Sequence, residues 1–190
     1  SLGLRRGGCC VVGVWSCFGR IRGRLHFFRV RASDEQVLAV DETIDVLMAL
    51  NAETVSRHID ALDQDGIVII DEDAALDDEL LAALGDRLRK LPIAAIAEEE
   101  GSAVMVNTGV LAAAAQAVGF PLEHIISVIA DNFASKGESV VDSNRRVAAR
   151  AYDLAAERYG RGLQVEMRLR EAPERVVIDG NHAFAMGALM

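Results

Sequence analysis

The chain of 190 residues lacks the apolar run of roughly 20 residues that a membrane-spanning helix needs, which argues against a spanning protein. It has only three cysteines, Cys9, Cys10 and Cys17, and their spacing fits neither a disulfide framework nor a zinc pattern. Basic residues are outnumbered by acidic ones, 20 to 29, so the net charge of −9 argues against general nucleic-acid binding. One ordinary globular domain, or one domain and part of another, remains.

Motifs of common cofactor and catalytic sites are missing as well. No G-x-G-x-x-G follows a strand-like run, and neither a P-loop motif nor G-x-S-x-G occurs. The histidines lie far apart and lack His-x-x-x-His or Glu-x-x-His spacing: His26, His58, His124 and His182. We therefore expect no metal site and no catalytic residue that acts within this chain alone.

The charge changes sign along the chain. Residues 1–31 contain seven arginines and no acid, giving +7, whereas residues 32–190 contain 13 basic and 29 acidic residues, giving −16. Such a break marks a boundary. We predict that residues 1–21 are an atypical basic, Cys- and Gly-rich N-terminus that is foreign to the fold or disordered. A cleaved organelle presequence and a structured N-terminus are the alternatives.

Short apolar runs alternate with amphipathic segments from about residue 25 onward. We predict strands at residues 25–31, 45–50, 67–70 and 93–96. Between them we predict a helix that Asn51 caps and Gly66 ends, and an acidic surface helix at 76–88. This alternation predicts an α/β fold, Rossmann-like, with a largely parallel sheet flanked by helices.

The second half is predicted to be helical. Asn107 is expected to cap a helix at 108–118, and Pro121 to open the next one. Ser135 and Glu138 form a capping-box pattern for a long helix through about residue 157. A last strand is expected at 176–178.

Four positions near predicted helix starts are candidate ligand contacts. Asn51 is either a plain cap or an amide donor to a ligand, and Lys136 beside Gly137 is placed to contact a phosphate. The acidic run 71–73 is either a solvated loop or a divalent-cation site. His182 follows a tight turn at a helix start, either as a surface residue or near an anion site.

Several segments, taken in their order and spacing, resemble one family, the 2-oxoacid:ferredoxin oxidoreductases. They are residues 29–35, 45–53, 66–71, 107–120, 133–153 and 178–181. The resemblance is to the gamma domain, which in this family is often fused in front of the thiamin-binding domain of the alpha subunit. It implies a gamma domain at 22–175 and the start of a truncated thiamin-binding alpha domain at 176–190, so we expect the chain to be a fragment.

The resemblance also implies a reaction and its cofactors. It implies CoA-dependent oxidative decarboxylation of a 2-oxoacid, with 2-oxoglutarate favoured over pyruvate, and electron transfer to ferredoxin. Thiamin diphosphate, Mg²⁺, an iron–sulfur cluster and CoA serve the complete complex, and none is expected to be held by this chain alone. On the CoA side, the resemblance makes Asn51, Asn107 and Lys136 the candidate cofactor-binding residues.

The implied partners are a beta subunit, ferredoxin through the complex and the missing thiamin-binding domain. Neither nucleic acid nor a membrane is expected as a partner, and the implied location is cytoplasmic. We expect exposed apolar surface where the missing parts belong.

The chain departs from the family in several places. Arg22-Gly23-Arg24 replaces the family's Arg-Gly-Gly segment, and neither a Tyr-Pro-Ile-Thr-Pro motif nor an iron–sulfur cysteine set is present. We therefore expect no activity from this polypeptide alone. The alternative is a free-standing α/β interaction or small-ligand-binding module without redox activity.

Overall fold

A computed structural model describes residues 10–17, 26–33, 35, 37, 39, 41–160 and 163. The predicted strand at 176–178 and the turn before His182 lie outside these residues. None of the helices within them is both long enough and apolar enough to cross a membrane.

A two-stranded antiparallel sheet begins the described chain. Strand β1 (Cys10–Cys17) pairs with β2 (His26–Ser33) without a register shift, from Cys10 opposite Ser33 to Cys17 opposite His26. The second strand confirms the one predicted at 25–31. Residues 1–21 are predicted to be foreign to the fold or disordered, with a structured N-terminus as one alternative, and the structure shows residues 10–17 as a paired strand.

A three-stranded parallel sheet forms the centre of the domain. Its strands lie in the order β3 (Ile44–Met48), β4 (Leu62–Asp71) and β5 (Leu88–Leu91). The predicted α/β fold with a largely parallel sheet is therefore confirmed. The centre of β4 is buried on both faces, as expected, because its side chains alternate between two cores.

The segment between β3 and β4 differs from the prediction. Helix α1 (Ala52–His58) is followed by a short 3₁₀ turn (Ile59–Ala61), and β4 has already begun before Gly66. Gly66 lies within β4, where an added Cβ would come 2.7 Å from the carbonyl oxygen of Ile44. The glycine is thus explained by the close approach of two strands, not by the end of a helix.

The region around β5 also differs from the prediction. Helix α2 (Asp78–Leu84) is shorter than the predicted 76–88, and the strand is formed by Leu88–Leu91, not by residues 93–96. The latter residues open helix α3 (Ile93–Glu99), where Ile93 and Ile96 are both buried at helical spacing. Four residues are too few for their apolar pattern to separate a strand from a helix.

Three helices complete the described fold and confirm its helical second half. They are α4 (Val106–Ala117), α5 (Leu122–Phe133) and α6 (Glu138–Tyr159). The predicted capping box is wrong, because Gly137 precedes α6 with φ of +98° and no side chain caps this helix. Ser135 lies instead in a 3₁₀ turn (Ala134–Lys136).

The helices form layers on both faces of the parallel sheet. One face packs on α3, α4 and α6 through a cluster that includes Ile69 and Val110, and the other packs on α1 and α2 through one that includes Val68 and Val55. A third cluster joins α4, α5 and α6 around Phe120. Helix α4 is therefore buried on most of its surface.

Candidate functional site

The carboxyl edge of the parallel sheet is a candidate ligand site, because ligands of open parallel sheets bind at this edge. At this edge β3 leads into Asn51, β4 ends at Asp71, and β5 ends before Pro92. The register places Asp71 beside Leu91, so the last two strands end together.

Asn51 caps α1, as predicted. Its Oδ1 atom accepts hydrogen bonds from the backbone N–H and the hydroxyl of Thr54, both at 2.9 Å. The side chain is exposed, and among the described residues its amide N–H group has no hydrogen-bond partner. Helix α1 packs on the sheet face opposite α4 and α6 through Val55. Asn51 can therefore donate to a ligand at the sheet edge, but from the α1 side.

Asn107 does not cap α4, contrary to the prediction. The helix starts at Val106, preceded by a 3₁₀ turn (Ala103–Met105) in which Ser102 accepts from the N–H of Val104. Asn107 is thus the second residue of α4, and it is exposed. The earlier start arises because Ser102 begins the turn that continues directly into the helix.

Helices α4 and α6 run parallel, but their starts are not level. The Thr108 hydroxyl, in the first turn of α4, donates to Oδ1 of Asn144 at 2.8 Å. Asn144 is the seventh residue of α6, so α6 begins about 9 Å before this contact. Near their ends, Nε2 of Gln116 donates to the carbonyl of Gly160 at 2.9 Å. The positive ends of both helix dipoles therefore point the same way.

Lys136 lies in the turn before α6 and is exposed. Its Nζ atom lies 5.3 Å from the centre of the Phe133 ring, a cation–π distance. Lys136 precedes the start of α6 and Asn107 lies in the first turn of α4, so each adjoins a helix N-terminus, a position that favours an anionic ligand. No contact in the described part of the chain joins Asn51 to either residue.

The acidic run after β4 serves the fold. The carboxylate of Asp71 accepts from the N–H of Asp73 at 3.1 Å and from that of Ala94 at 2.6 Å, which caps α3 from a neighbouring strand. Glu72 pairs with Arg158 at 3.0 Å. Within the described ranges, no three His, Cys, Asp or Glu side chains come together to hold a metal ion.

A polar cluster around β5 was missed in the sequence. Arg89 is 8% exposed, and its guanidinium carbon lies 5.2 Å from the centre of the Tyr159 ring. Burial lowers the pKa of this guanidinium, although the neighbouring Tyr159 raises it. The Tyr159 hydroxyl accepts from the N–H of Lys90 and donates to its carbonyl, both at 2.8 Å. Only the correct assignment of residues 88–91 to a strand would have indicated that the Arg89 side chain is buried.

Apolar side chains are exposed at the end of β3 and around the start of α4. They are Met48, Leu50, Val104 and Leu111, of which Val104 is 83% exposed. This is the kind of surface that we expect where another domain or subunit belongs.

Sequence comparison identifies the family. The family described as pyruvate ferredoxin/flavodoxin oxidoreductase matches residues 3–154. The chain belongs to this oxidoreductase family. The match includes most of residues 1–21, which we expected to lie outside the family domain, whereas the limits of a gamma domain at 22 and 175 stay predictions. A comparison with curated protein sequences gives no match.

Two solved structures of oxidoreductases are similar to this family member. One is 2-oxoglutarate:ferredoxin oxidoreductase from Magnetococcus marinus with 2-oxoglutarate, coenzyme A and succinyl-CoA bound, at 22% identity and a TM-score of 0.84. The similarity covers 99% of this chain and 33% of that one, so this chain spans about a third of its length. The other is pyruvate oxidoreductase subunit PORC from Thermotoga maritima, at 25% identity and a TM-score of 0.60, covering 80% of this chain and 83% of that one.

Proposed function

We propose that this chain is the gamma domain of a 2-oxoacid:ferredoxin oxidoreductase and works only within a larger complex. The complex decarboxylates a 2-oxoacid oxidatively, transfers the acyl group to CoA and passes electrons to ferredoxin. The observation that carries this proposal is the family match over residues 3–154. The similar structure that is named for 2-oxoglutarate, over 99% of the chain, favours 2-oxoglutarate as the substrate.

The rest of the complex supplies the chemistry. Thiamin diphosphate, Mg²⁺ and an iron–sulfur cluster belong to a beta subunit and to a thiamin-binding domain that begins at residues 176–190. The proposed location is the cytoplasm. The exposed apolar side chains Met48 and Leu50 support a covering partner, because they lie where β3 ends, at the carboxyl edge of the sheet.

The residues proposed to face CoA differ in how well they are placed. Lys136 precedes α6 and Asn107 lies in the first turn of α4, so each adjoins the positive end of a helix dipole, which favours the diphosphate of CoA. Asn51 offers an amide donor from the other sheet face. None of the three is assigned a catalytic role.

The first experiment tests the reaction. The chain is expressed with its beta subunit and the thiamin-binding domain, and ferredoxin reduction is measured with 2-oxoglutarate or pyruvate, with and without CoA. We expect CoA-dependent reduction that is fastest with 2-oxoglutarate. If ferredoxin is reduced with pyruvate but not with 2-oxoglutarate, the proposed substrate is wrong. If the complex forms but reduces ferredoxin with neither 2-oxoacid, the proposed function is wrong.

The second experiment tests the CoA contact. Lys136→Ala removes one exposed ammonium, and losing such a contact at about 1 kcal/mol raises the KM for CoA roughly 5-fold with little change in kcat. Arg57→Ala is the control, because Arg57 is also exposed but pairs with Glu53 at 2.8 Å. An unchanged KM for CoA in the Lys136 variant would remove this residue from the site.

A further inference from the structure

Arg89 is a buried cation for which the described residues supply no anionic partner. Arg146, Arg150 and Arg158 each pair with a carboxylate. Arg89, by contrast, is 8% exposed and has neither an ion pair nor a hydrogen bond within the described chain, and its Nε atom is fully buried. The Tyr159 ring lies over its guanidinium. Burying a charge in this way is costly unless an opposite charge joins it.

A second unsatisfied polar group lies at the same end of α6. Gln116 is 6% exposed, and its Nε2 atom donates to the carbonyl of Gly160, while its Oε1 atom is buried without a donor. Tyr159 touches Arg89, and the next residue, Gly160, bonds to Gln116. Arg89 and Gln116 therefore both adjoin the C-terminal end of α6, and each has a buried polar atom without a partner among the residues described.

We propose that Arg89 and Gln116 form a binding site for a carboxylate at the end of α6. The planar guanidinium donates to the carboxylate oxygens of either source. When the carboxylate belongs to a partner chain, Oε1 of Gln116 accepts from a backbone N–H next to it. A single negative charge matches the single buried cation, which favours a carboxylate over a doubly charged phosphate. The carboxylate belongs either to a small acid or to an Asp or Glu side chain of a partner chain.

A different role for Arg89 makes the opposite prediction. Strand β5 is an edge of the described sheet, and an inward-pointing charge on an edge strand discourages pairing with other strands. A charge that serves only this purpose has no need of an anion. In that case an added carboxylate would not stabilise the protein by binding to Arg89.

The test compares thermal unfolding of the full chain in sodium acetate and in sodium chloride at equal ionic strength. If the carboxylate is a small acid, acetate raises the Tm of the unmodified chain by about 2 °C or more. This rise is lost in Arg89→Met and retained in Arg57→Met, whose arginine is exposed. In chloride, Arg89→Met is at least as stable as the unmodified chain, because it removes an uncompensated charge.

A second measurement covers a carboxylate that comes from a partner. The affinity of the chain for its purified beta subunit is compared for the unmodified chain and for Arg89→Met, Arg89→Lys and Arg57→Met. We expect an affinity at least about 10-fold weaker for Arg89→Met, a smaller loss for Arg89→Lys and none for Arg57→Met. If acetate has no effect through Arg89 and the affinity is unchanged, the proposed site is refuted, whereas ferredoxin reduction by the complex tests the proposed function separately.

Discussion

The Tyr159 hydroxyl is the best-defined contact between α6 and the sheet, and Tyr159→Phe removes it while keeping the ring over Arg89. Two hydrogen bonds to Lys90, both at 2.8 Å, are lost. At about 1 kcal/mol each, the free energy of unfolding should fall by about 2 kcal/mol. For a chain of this length the Tm should fall by about 4–8 °C.

Urea unfolding followed by circular dichroism measures this loss. Tyr152→Phe is the matched control, because Tyr152 lies in the same helix and its hydroxyl donates to the carbonyl of Phe120 at 3.1 Å. We expect a smaller loss for this control, since its hydrogen bond to the Phe120 carbonyl is longer than those of Tyr159. If Tyr159→Phe unfolds within about 0.5 kcal/mol of the unmodified chain, the two bonds to β5 do not stabilise the fold, and the reasoning is refuted.

Four further changes test other parts of the structure. Gly109→Ala should lower the free energy of unfolding by about 1 kcal/mol in urea titrations, because its methyl group would clash with a side chain of α3, and overpacking outweighs the helix propensity gained. Burial lowers the pKa of His58, with added effects from neighbouring arginines. Its contribution to stability is therefore present above pH 6.5 and is lost as the pH falls below that value. His58→Gln should make the free energy of unfolding depend less on pH between 7.5 and 5.5. Hydrogen bonds from Arg146 and Arg150 lower the pKa of Glu100. Its contribution to stability is therefore present above pH 4.5 and is lost at lower pH. Glu100→Gln should reduce the free energy of unfolding at pH 7 and make that free energy fall less below pH 4.5. A fluorescent dye for apolar surfaces should bind the chain, and Leu111→Ser should reduce its signal.

For each of these four changes, one result would contradict the physical argument behind the prediction. A Gly109→Ala chain as stable as the unmodified one would show that α3 yields to the added methyl group. Equal pH dependence with and without His58, or with and without Glu100, would show that the group does not titrate differently on folding. No dye signal from the chain would count against an uncovered partner surface.

The strands and helices that local patterns specify were predicted well. The run at 67–70 is apolar without interruption, as a strand covered on both faces must be, and β4 contains it. Asn51 caps its helix because the acceptor, the turn and Thr54 lie within four residues. Pro121 precedes α5 for the same reason, since its fixed φ suits a helix start.

What depends on distant residues could not be predicted. The start of α3 is capped by Asp71, 23 residues earlier, so its sequence carries no cap of its own. Strand β5 has only four residues, and its edge is satisfied by the Tyr159 hydroxyl, 69 residues away. For the same reason Arg89 could not be recognised as buried.

The candidate site shows the same division between local and distant information. Each of Asn51, Asn107 and Lys136 was chosen because it adjoins a predicted helix start, and such a position says nothing about which helices lie together. The pairing of α4 with α6, which the bond from Thr108 to Asn144 supports, puts two of the three on the same side of the sheet, near helix starts that point the same way. The sheet separates the third, because α1 packs on the opposite face. A ligand that contacts all three must therefore reach around the carboxyl edge of the sheet. One that contacts Lys136 and Asn107 stays on the α4–α6 side and spans only the offset between two helix starts. A substitution at Lys136 should therefore raise the KM for CoA more than one at Asn51.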